Sequence, residues 1–253
     1  MKIATWNISA GINTSDYSGE FFDKPQEASV DDKCLNEIAK AIVENDIDVI
    51  ALQEVVTTIS FKYLKMLSKK TNLKYFESFE NSPCHLIKNA NFGVAILSKY
   101  PIKNITKQFF KNPNLTKQTN KGLYHSHDKG YLAVRVLTKQ PFWFLSASLL
   151  PFHRFDCNIL NFKNLFSEFQ DFVIDNNVFA MGDYNAIEGK DSLQKVFDKL
   201  KNTHNFLFDQ ITTTDNKKCD NILLPKNIVV KNKYIVERRD VSDHYLCVAE
   251  VDL

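Results

Sequence analysis

The chain has 253 residues, 25% of them charged, and a formal net charge of +2, values typical of one large globular domain. So small a net charge would not by itself attract nucleic acid, so attraction for phosphate would come from local groups of basic residues. Its apolar runs are too short to cross a membrane. The sequence therefore predicts a single domain over residues 1–253 without a membrane span.

The chain alternates between apolar runs, which predict strands, and apolar residues at helical spacing, which predict helices. The predicted strands are Lys2–Thr5, Asp48–Leu52, Phe92–Leu97, Leu132–Leu137, Phe142–Leu149, Val178–Met181, Asn221–Leu224, Tyr234–Val236 and Leu246–Val251. The predicted helices are one after a capping pattern at Ser29 and Asp32, one over about Ile59–Lys70, one over Phe155–Val173 and one around Leu193–Leu200. Two long polar segments, Ser9–Ala28 and Lys103–Gly130, predict loops. Because several strand pairs are hairpin-like, this order predicts an α/β fold with mixed sheets.

The five cysteines lie far apart in the sequence, at Cys34, Cys84, Cys157, Cys219 and Cys247. Their odd number and the absence of zinc-binding spacing favour buried, reduced thiols over disulfides. We therefore expect a cytoplasmic protein, and we expect it to be a monomer.

Four short polar motifs follow strand-like runs, at Thr5–Ile8, Gln53–Val55, Gly182–Ala186 and Ser242–His244. Side chains at strand ends can meet in space although they are far apart in sequence. Together these motifs would supply amide and carboxylate oxygens and one imidazole. That combination predicts an oxygen-rich site for a hard cation beside a titratable group.

These motifs, together with Asn91–Ile102 and Cys219–Leu223, resemble the endonuclease/exonuclease/phosphatase superfamily, which has the DNase I-like fold, in order and spacing. The resemblance covers nearly the whole chain. It implies a four-layer α/β/β/α sandwich of two mixed β-sheets flanked by helices. It also implies a metal-dependent hydrolase that cleaves phosphodiester or phosphomonoester bonds.

The resemblance implies a divalent metal, Mg²⁺ or Mn²⁺, held by Glu54 and Asn7, with Asp243 as a second carboxylate. This set agrees with the chemistry of Mg²⁺, which prefers oxygen donors and binds through one or two carboxylates and the substrate phosphate.

The same resemblance assigns catalytic roles to four further residues. Asp183 would orient the attacking water, and Asn185 would stabilise the phosphoryl oxygens. His244 would contact the scissile phosphate, oriented by Asp220, a partner that fixes the tautomer and raises the pKa of the imidazole. The sequence leaves open whether Asp183 or His244 acts as the base.

The chain departs from the family pattern at Ser148, where a catalytic histidine is expected. A serine can donate a hydrogen bond, but it cannot carry positive charge or shuttle a proton near neutral pH. Three interpretations remain open: an introduced inactivating change, a natural change with reduced activity, or replacement of the histidine by a neighbour. His153, placed near the start of the next predicted helix, is the candidate neighbour.

Basic and aromatic residues near the expected cleft, namely Arg154, Lys129 and Tyr124 beside His153, suit a nucleic-acid strand. A nuclease is therefore the expected activity. The alternatives are a phosphatase or phosphodiesterase acting on inositol or lipid phosphates, and a phosphate-binding pseudoenzyme that Ser148 has made inactive.

Overall fold

The computed structural model of the chain describes residues 1–12, 32–57 and 60–253, and its strands form two six-stranded sheets and a separate hairpin. The first sheet contains, in spatial order, β13 (Val229–Val236), β14 (Leu246–Asp252), β1 (Lys2–Asn7), β2 (Val49–Val56), β4 (Asn91–Ser98) and β3 (Tyr75–Pro83). The second contains β11 (His204–Phe206), β12 (Asp220–Pro225), β10 (Phe179–Asp183), β9 (Phe142–Ser148), β8 (Gly130–Val136) and β5 (Ile102–Phe109). The hairpin consists of β6 (Thr116–Thr119) and β7 (Gly122–His125). Both sheets are mixed, because β1 pairs with β2, and β9 with β10, in parallel, whereas their other neighbours are antiparallel.

The helices of the described ranges lie between these strands in the chain. The α-helices are α1 (Asp32–Glu44), α2 (Ser60–Lys70), α3 (Ser167–Asp175) and α4 (Lys190–Val196). Shorter 3-10 turns cover Ser9–Gly11, Phe152–Phe155, Ile159–Phe166 and Leu200–Asn202. In this part of the chain no helix combines the length and the apolar character that a bilayer crossing requires.

The core has three layers because side chains alternate between the two faces of each strand. On β10, Phe179 and Met181 pack between the sheets, whereas Ala180 packs with α3 and α4. On β1, Ile3 packs between the sheets and Ala4 packs with α1 and α2. The helices therefore cover the outer faces of the two sheets, which confirms the predicted four-layer α/β/β/α sandwich.

Two predictions about elements were wrong. The predicted polar loop Lys103–Gly130 contains most of β5 and the whole β6–β7 hairpin. The strand β5 lies at the edge of its sheet and buries few of its side chains, so it lacks the apolar signal of a central strand. The predicted helix Phe155–Val173 is broken, because Asp156 has a left-handed backbone and Asn158 caps a new turn. The predicted capping residue Ser29 lies outside the described residues.

Candidate functional site

The candidate site lies at one end of the sandwich, where the inward positions of the central strands change from apolar to polar. On β10 the inward residue after Met181 is Asp183. Ser148 at the end of β9 and Asp220 at the start of β12 both pair with Asp183, from opposite sides. Since β9 and β10 are parallel and β12 is antiparallel to them, these three residues form a row at one edge. Asn7, the last residue of β1, reaches the row from the facing sheet.

Asp183 is the central acid of the site and is only 2% exposed. Its carboxylate accepts hydrogen bonds from the Asn7 amide at 3.0 Å and from the backbone N–H of Asn185 at 3.1 Å. Burial raises the pKa of Asp183, and the charge of Asp220 adds to this, although His244 and the two hydrogen bonds oppose the shift. The net result is a carboxylate with more affinity for a proton than an exposed aspartate has.

His244, which is partly exposed, and the buried Asp220 form a hydrogen-bonded pair next to this acid. The imidazole Nδ1 lies 2.8 Å from Asp220 Oδ2, and Nε2 lies 4.0 Å from Asp183 Oδ2. The bond to Asp220 places a proton on Nδ1 and leaves Nε2 facing the site. Burial by itself would lower the pKa of His244, but the carboxylates of Asp220 and Asp183 raise it well above its ordinary value. The imidazole therefore favours its cationic form.

The backbone around His244 is held by residues to which the sequence analysis gave no role. Trp6 Nε1 donates to the His244 carbonyl at 3.0 Å, and the His244 N–H donates to Ser242 Oγ at 3.1 Å. Ser242 Oγ in turn donates to the Asn7 carbonyl at 2.7 Å. The sequence offered one signal for these contacts: Trp6 and Ser242 belong to two of the polar motifs, Thr-Trp-Asn and Ser-Asp-His.

A second polar layer lies between the sheets directly below the site. Gln53 Nε2 donates to Ser146 Oγ at 3.1 Å, and Thr5 Oγ1 donates to Gln53 Oε1 at 3.2 Å. All three side chains are fully buried. Because buried polar groups need such partners, these bonds fix the two sheets relative to each other beneath Asp183 and Asn7.

Asp243 and Asn7 are joined through Ser9. The hydroxyl of Ser9 donates to Asp243 Oδ1 at 2.5 Å, and the Ser9 backbone N–H donates to Asn7 Oδ1 at 3.0 Å. Burial raises the pKa of Asp243, but His244, the Ser9 hydroxyl and further contacts together outweigh it and lower the pKa. Asp243 therefore favours the carboxylate form that a metal needs.

Glu54 stands where β2 departs from regular strand geometry. It has a positive φ of 53°, and the pairing of β2 with β4 shifts register between Leu52 and Val55. Such a bulge redirects a side chain at the end of a strand. The residue before it, Gln53, pairs with Asn7 on β1, so the backbone of Glu54 follows directly after this strand pair. The Glu54 carboxylate accepts no hydrogen bond from any residue in the described ranges.

Ser148 occupies the row next to Asp183, and its nearest cationic neighbour is a lysine. Lys129 Nζ donates to Ser148 Oγ at 3.5 Å. Lys129 directly precedes Gly130, which pairs with Ser148 across β8 and β9. A basic side chain therefore lies beside the position where the sequence analysis expected a histidine.

The other predicted substrate-binding residues lie on the turn Phe152–Phe155 and on the hairpin. Arg154 is partly buried, and its charge acts on Asp243, His153 and His85. Tyr124 is on β7 of the hairpin. Both ring nitrogens of His153 are buried and have no hydrogen-bond partner among the described residues, and burial, with Lys217 next in importance, lowers its pKa to about 4.

Two groups of donors at this edge could hold a cation. Asp183, Asp220 and His244 have ligand atoms within 4.8 Å of one another. Asp220 is 1% exposed and already bonded to the imidazole, which leaves little room for the waters that Mg²⁺ retains. Asn7, Glu54 and Asp243 are the alternative. They offer only oxygen donors, and Asn7 Oδ1 keeps a free lone pair beside its bond from Ser9.

Comparison with known proteins places this geometry in a family. Residues 4–244 match the model of the Endonuclease/Exonuclease/phosphatase family. A search of curated proteins gives no significant match.

Several solved structures share the fold. An endonuclease/exonuclease/phosphatase family protein from Leptotrichia buccalis C-1013-b aligns over 100% of both chains, with 18% identity and a TM-score of 0.70. ANGEL2, a 2',3'-cyclic phosphatase, aligns over 99% of this chain and 94% of its own, with 13% identity and a TM-score of 0.68. Sphingomyelinase C from Streptomyces griseocarneus aligns over 98% of both chains, with 15% identity and a TM-score of 0.61.

At these identities the structural neighbours show the fold alone, whereas the family model spans nearly all of the chain, including each strand end that contributes to the site. The chain therefore belongs to the endonuclease/exonuclease/phosphatase family.

Proposed function

We propose that the protein is a divalent-metal-dependent phosphoesterase that hydrolyses the phosphodiester bonds of nucleic acid. The observation that carries this proposal is the cluster of Asp183, His244 and Asp220, with Nε2 of the imidazole 4.0 Å from the central carboxylate. Phosphoester hydrolysis needs a base close to a water molecule and positive charge close to the phosphoryl oxygens. The cluster offers both, with the imidazole Nε2 and the Asp183 carboxylate 4.0 Å apart.

The two pKa directions suggest a division of roles. Asp183, whose pKa is raised, is the acceptor for the proton of the attacking water. His244, whose pKa is also raised and which is paired with Asp220, is the cation that stabilises the charged transition state. Asn185 uses one amide hydrogen on the Leu149 carbonyl at 2.8 Å and keeps the other for a phosphoryl oxygen.

Asn7, Glu54 and Asp243 would hold Mg²⁺ or Mn²⁺. When bound, the ion would supply Lewis-acid stabilisation of charge on the phosphate. The protein would provide the oxygen ligands for this ion, two of them negatively charged carboxylates. The Ser9 contacts to Asn7 and Asp243, and the bulge at Glu54, prepare that arrangement.

Basic and aromatic residues support a nucleic-acid substrate. Lys129 and Arg154 lie beside the row of catalytic residues, and Tyr124 lies on the β6–β7 hairpin together with Lys117 and Lys121. Cationic side chains bind phosphates along a strand, and an aromatic ring can stack on a base.

A second candidate is a phosphatase or phosphodiesterase acting on a small or lipid phosphate. One observation favours it: a pocket beside Asn185, lined among others by Asn158 and Glu188, offers polar groups to a leaving group with hydroxyls. The names of the cyclic phosphatase and the sphingomyelinase show that this fold serves such substrates in those proteins. A phosphate-binding pseudoenzyme is the third candidate, motivated by Ser148.

We also propose that the chain works as a single-domain monomer in the cytoplasm. None of the five cysteines forms a disulfide, and only Cys157 is more than slightly exposed, which suits a reducing compartment.

One panel of assays separates these candidates. Purified protein would be tested for plasmid nicking, for inositol phosphate release and for hydrolysis of bis(p-nitrophenyl) phosphate, each with Mn²⁺ and with EDTA. Metal-dependent nicking would support the nuclease. Release only from inositol phosphates would favour the phosphatase, and no turnover of any substrate would favour the pseudoenzyme.

A further inference from the structure

A continuous row of four residues crosses the second sheet at the site. Asp220 pairs with Asp183, Asp183 pairs with Ser148, and Ser148 pairs with Gly130. Because residues opposite each other in a ladder face the same way, the side chains of the first three point into the same gap between the sheets.

The two ends of this row differ in the residue that provides positive charge. At the Asp220 end, His244 provides a cation within hydrogen-bonding distance of a carboxylate. At the other end, Ser148 is neutral, and the Lys129 ammonium lies 3.5 Å from its hydroxyl. Within the described ranges Lys129 has no carboxylate partner, unlike Lys117, which is paired with Asp156 at 2.8 Å. A partly buried ammonium without a counter-charge is well suited to bind an anion.

The backbone holds Lys129 in this place. Its carbonyl accepts the Phe110 N–H at 2.8 Å, at the end of the β5–β8 ladder. A Cβ on the next residue, Gly130, would lie 2.4 Å from the Gln108 carbonyl oxygen, so glycine is required for β5 to pack this closely. The lysine thus extends from the fixed end of a strand rather than from a free loop.

Lys129 also lies within electrostatic range of a residue that senses Glu54. Burial lowers the pKa of His85 to about 4, Glu54 opposes that shift, and Lys129 adds to it. The carboxylate and the ammonium therefore act on the same imidazole.

His153 has other charged neighbours. Lys217, Arg154 and Asp215 act on its pKa, and Asp215 in turn interacts with His244. Within the described ranges neither ring nitrogen of His153 forms a hydrogen bond, so none joins His153 to Ser148, whereas Lys129 does donate to that hydroxyl.

We propose that Lys129 is the second catalytic cation of the site, holding a non-bridging oxygen of the substrate phosphate together with the Ser148 hydroxyl, opposite His244. This inference rests on the proposed phosphoesterase function and goes beyond general attraction of a nucleic-acid backbone. This role for Lys129 explains how the row can contain a neutral serine where a histidine was expected, because the positive charge comes from the residue that directly precedes the neighbouring strand β8. The phosphate is bound by charge and hydrogen bonds at both ends of the row, and no proton leaves the ammonium.

The test compares Lys129→Met, Lys129→Arg and the control Lys111→Met, which removes one charge from the neighbouring segment without a contact to the row. Hydrolysis of bis(p-nitrophenyl) phosphate with Mn²⁺ gives kcat and KM, and calorimetry gives the affinity for inorganic phosphate. Thermal melting verifies that each variant is folded. We expect Lys129→Met to lower kcat about 10²-fold, as removal of one donor to a transition-state oxyanion does elsewhere, and to weaken phosphate binding about tenfold. Lys129→Arg should keep kcat within about tenfold, and Lys111→Met within about twofold.

An active wild type whose Lys129→Met variant keeps kcat and phosphate affinity within about twofold would overturn this inference alone. Equal losses in Lys129→Met and Lys129→Arg would overturn the role of charge. A folded wild type that neither hydrolyses phosphoesters nor binds phosphate would instead overturn the proposed function, and this inference with it.

Discussion

At the scale of single residues, the surroundings of Asp183 are formed by residues from three other strands. Asn7 comes from the facing sheet, Asp220 and Ser148 come from the adjacent strands, and His244 lies across the gap. A carboxylate at 2% exposure would be unfavourable alone, and the Asn7 amide, the Asn185 backbone N–H and the His244 imidazole stabilise it against burial and the charge of Asp220.

Glu54 provides the most direct residue-scale test of the metal proposal. In Glu54→Gln we expect the affinity for Mn²⁺, measured by calorimetry, to fall at least tenfold, because an amide cannot replace the charge of a carboxylate towards a hard cation. Glu44→Gln, on the exposed end of α1, is the matched control and should bind as the wild type does. Wild-type affinity in the Glu54 variant would remove this residue from the metal site.

Much of the site could be predicted at this scale, because its motifs sit at strand ends. Asp183 and His244 lie in motifs that follow predicted strands, and Asp220 lies in a segment that the family resemblance identified. The Lys129–Ser148 contact could not be predicted, because it depends on the register between β8 and β9 and on a lysine within a segment expected to be a loop. The hydrogen bonds of Ser9 and Trp6 likewise depend on tertiary approach.

At the scale of elements, the contact between β9 and β10 sets the distance between Ser148 and Asp183. Gly182 allows that contact, because a Cβ there would lie 2.3 Å from the carbonyl oxygen of Ala147 on β9. Strands β9 and β10 can approach to the normal distance of a hydrogen-bonded strand pair only if residue 182 has no Cβ.

Gly182→Ala should therefore both destabilise the protein and reduce its activity. We expect the free energy of unfolding, from urea titration, to fall by about 1–3 kcal/mol, as overpacking typically causes. Turnover of the folded fraction should also fall, since β9 must shift relative to Asp183. Unchanged stability together with unchanged turnover would show that the two strands tolerate the added methyl group, contrary to this packing.

The predicted elements succeeded where burial produces a strong pattern. The central strands β2, β4, β9 and β10 are almost wholly buried, and their apolar runs identified them. Edge strands such as β3 and β5 bury only part of their length, so their sequences look like loops. Helix α3 begins later than predicted because the preceding turns are 3-10, a distinction that apolar spacing does not resolve.

At the scale of the whole molecule, buried histidines make stability depend on pH. The pKa of His153 falls from its ordinary 6.5 to about 4, chiefly through burial. Between these two pKa values the unfolded chain binds a proton at His153 and the folded chain does not. The free energy of unfolding therefore falls as the pH falls through this window. Burial lowers the pKa of His85 to about 4 in the same way and adds to the effect.

His153→Gln should reduce this dependence. We expect the loss of unfolding free energy between pH 7 and pH 5 to be smaller by about 1 kcal/mol in the variant, after allowance for the partial exposure of the ring. In the part of the chain that the structure describes, the ring nitrogens of His153 have no hydrogen-bond partner, so the replacement removes no such bond. An identical pH dependence in wild type and variant would mean that His153 titrates normally in the folded protein.

The central claim concerns Asp183 as the acid–base centre of a phosphoesterase. Its most direct test is metal-dependent hydrolysis of the best substrate by Asp183→Asn, beside Asp175→Asn, an exposed control at the end of α3. We predict that Asp183→Asn folds, because the amide has nearly the same shape, but loses turnover by about 10²-fold or more, because it cannot accept the proton of the attacking water. Turnover equal to that of the wild type and of the Asp175 variant would contradict the account.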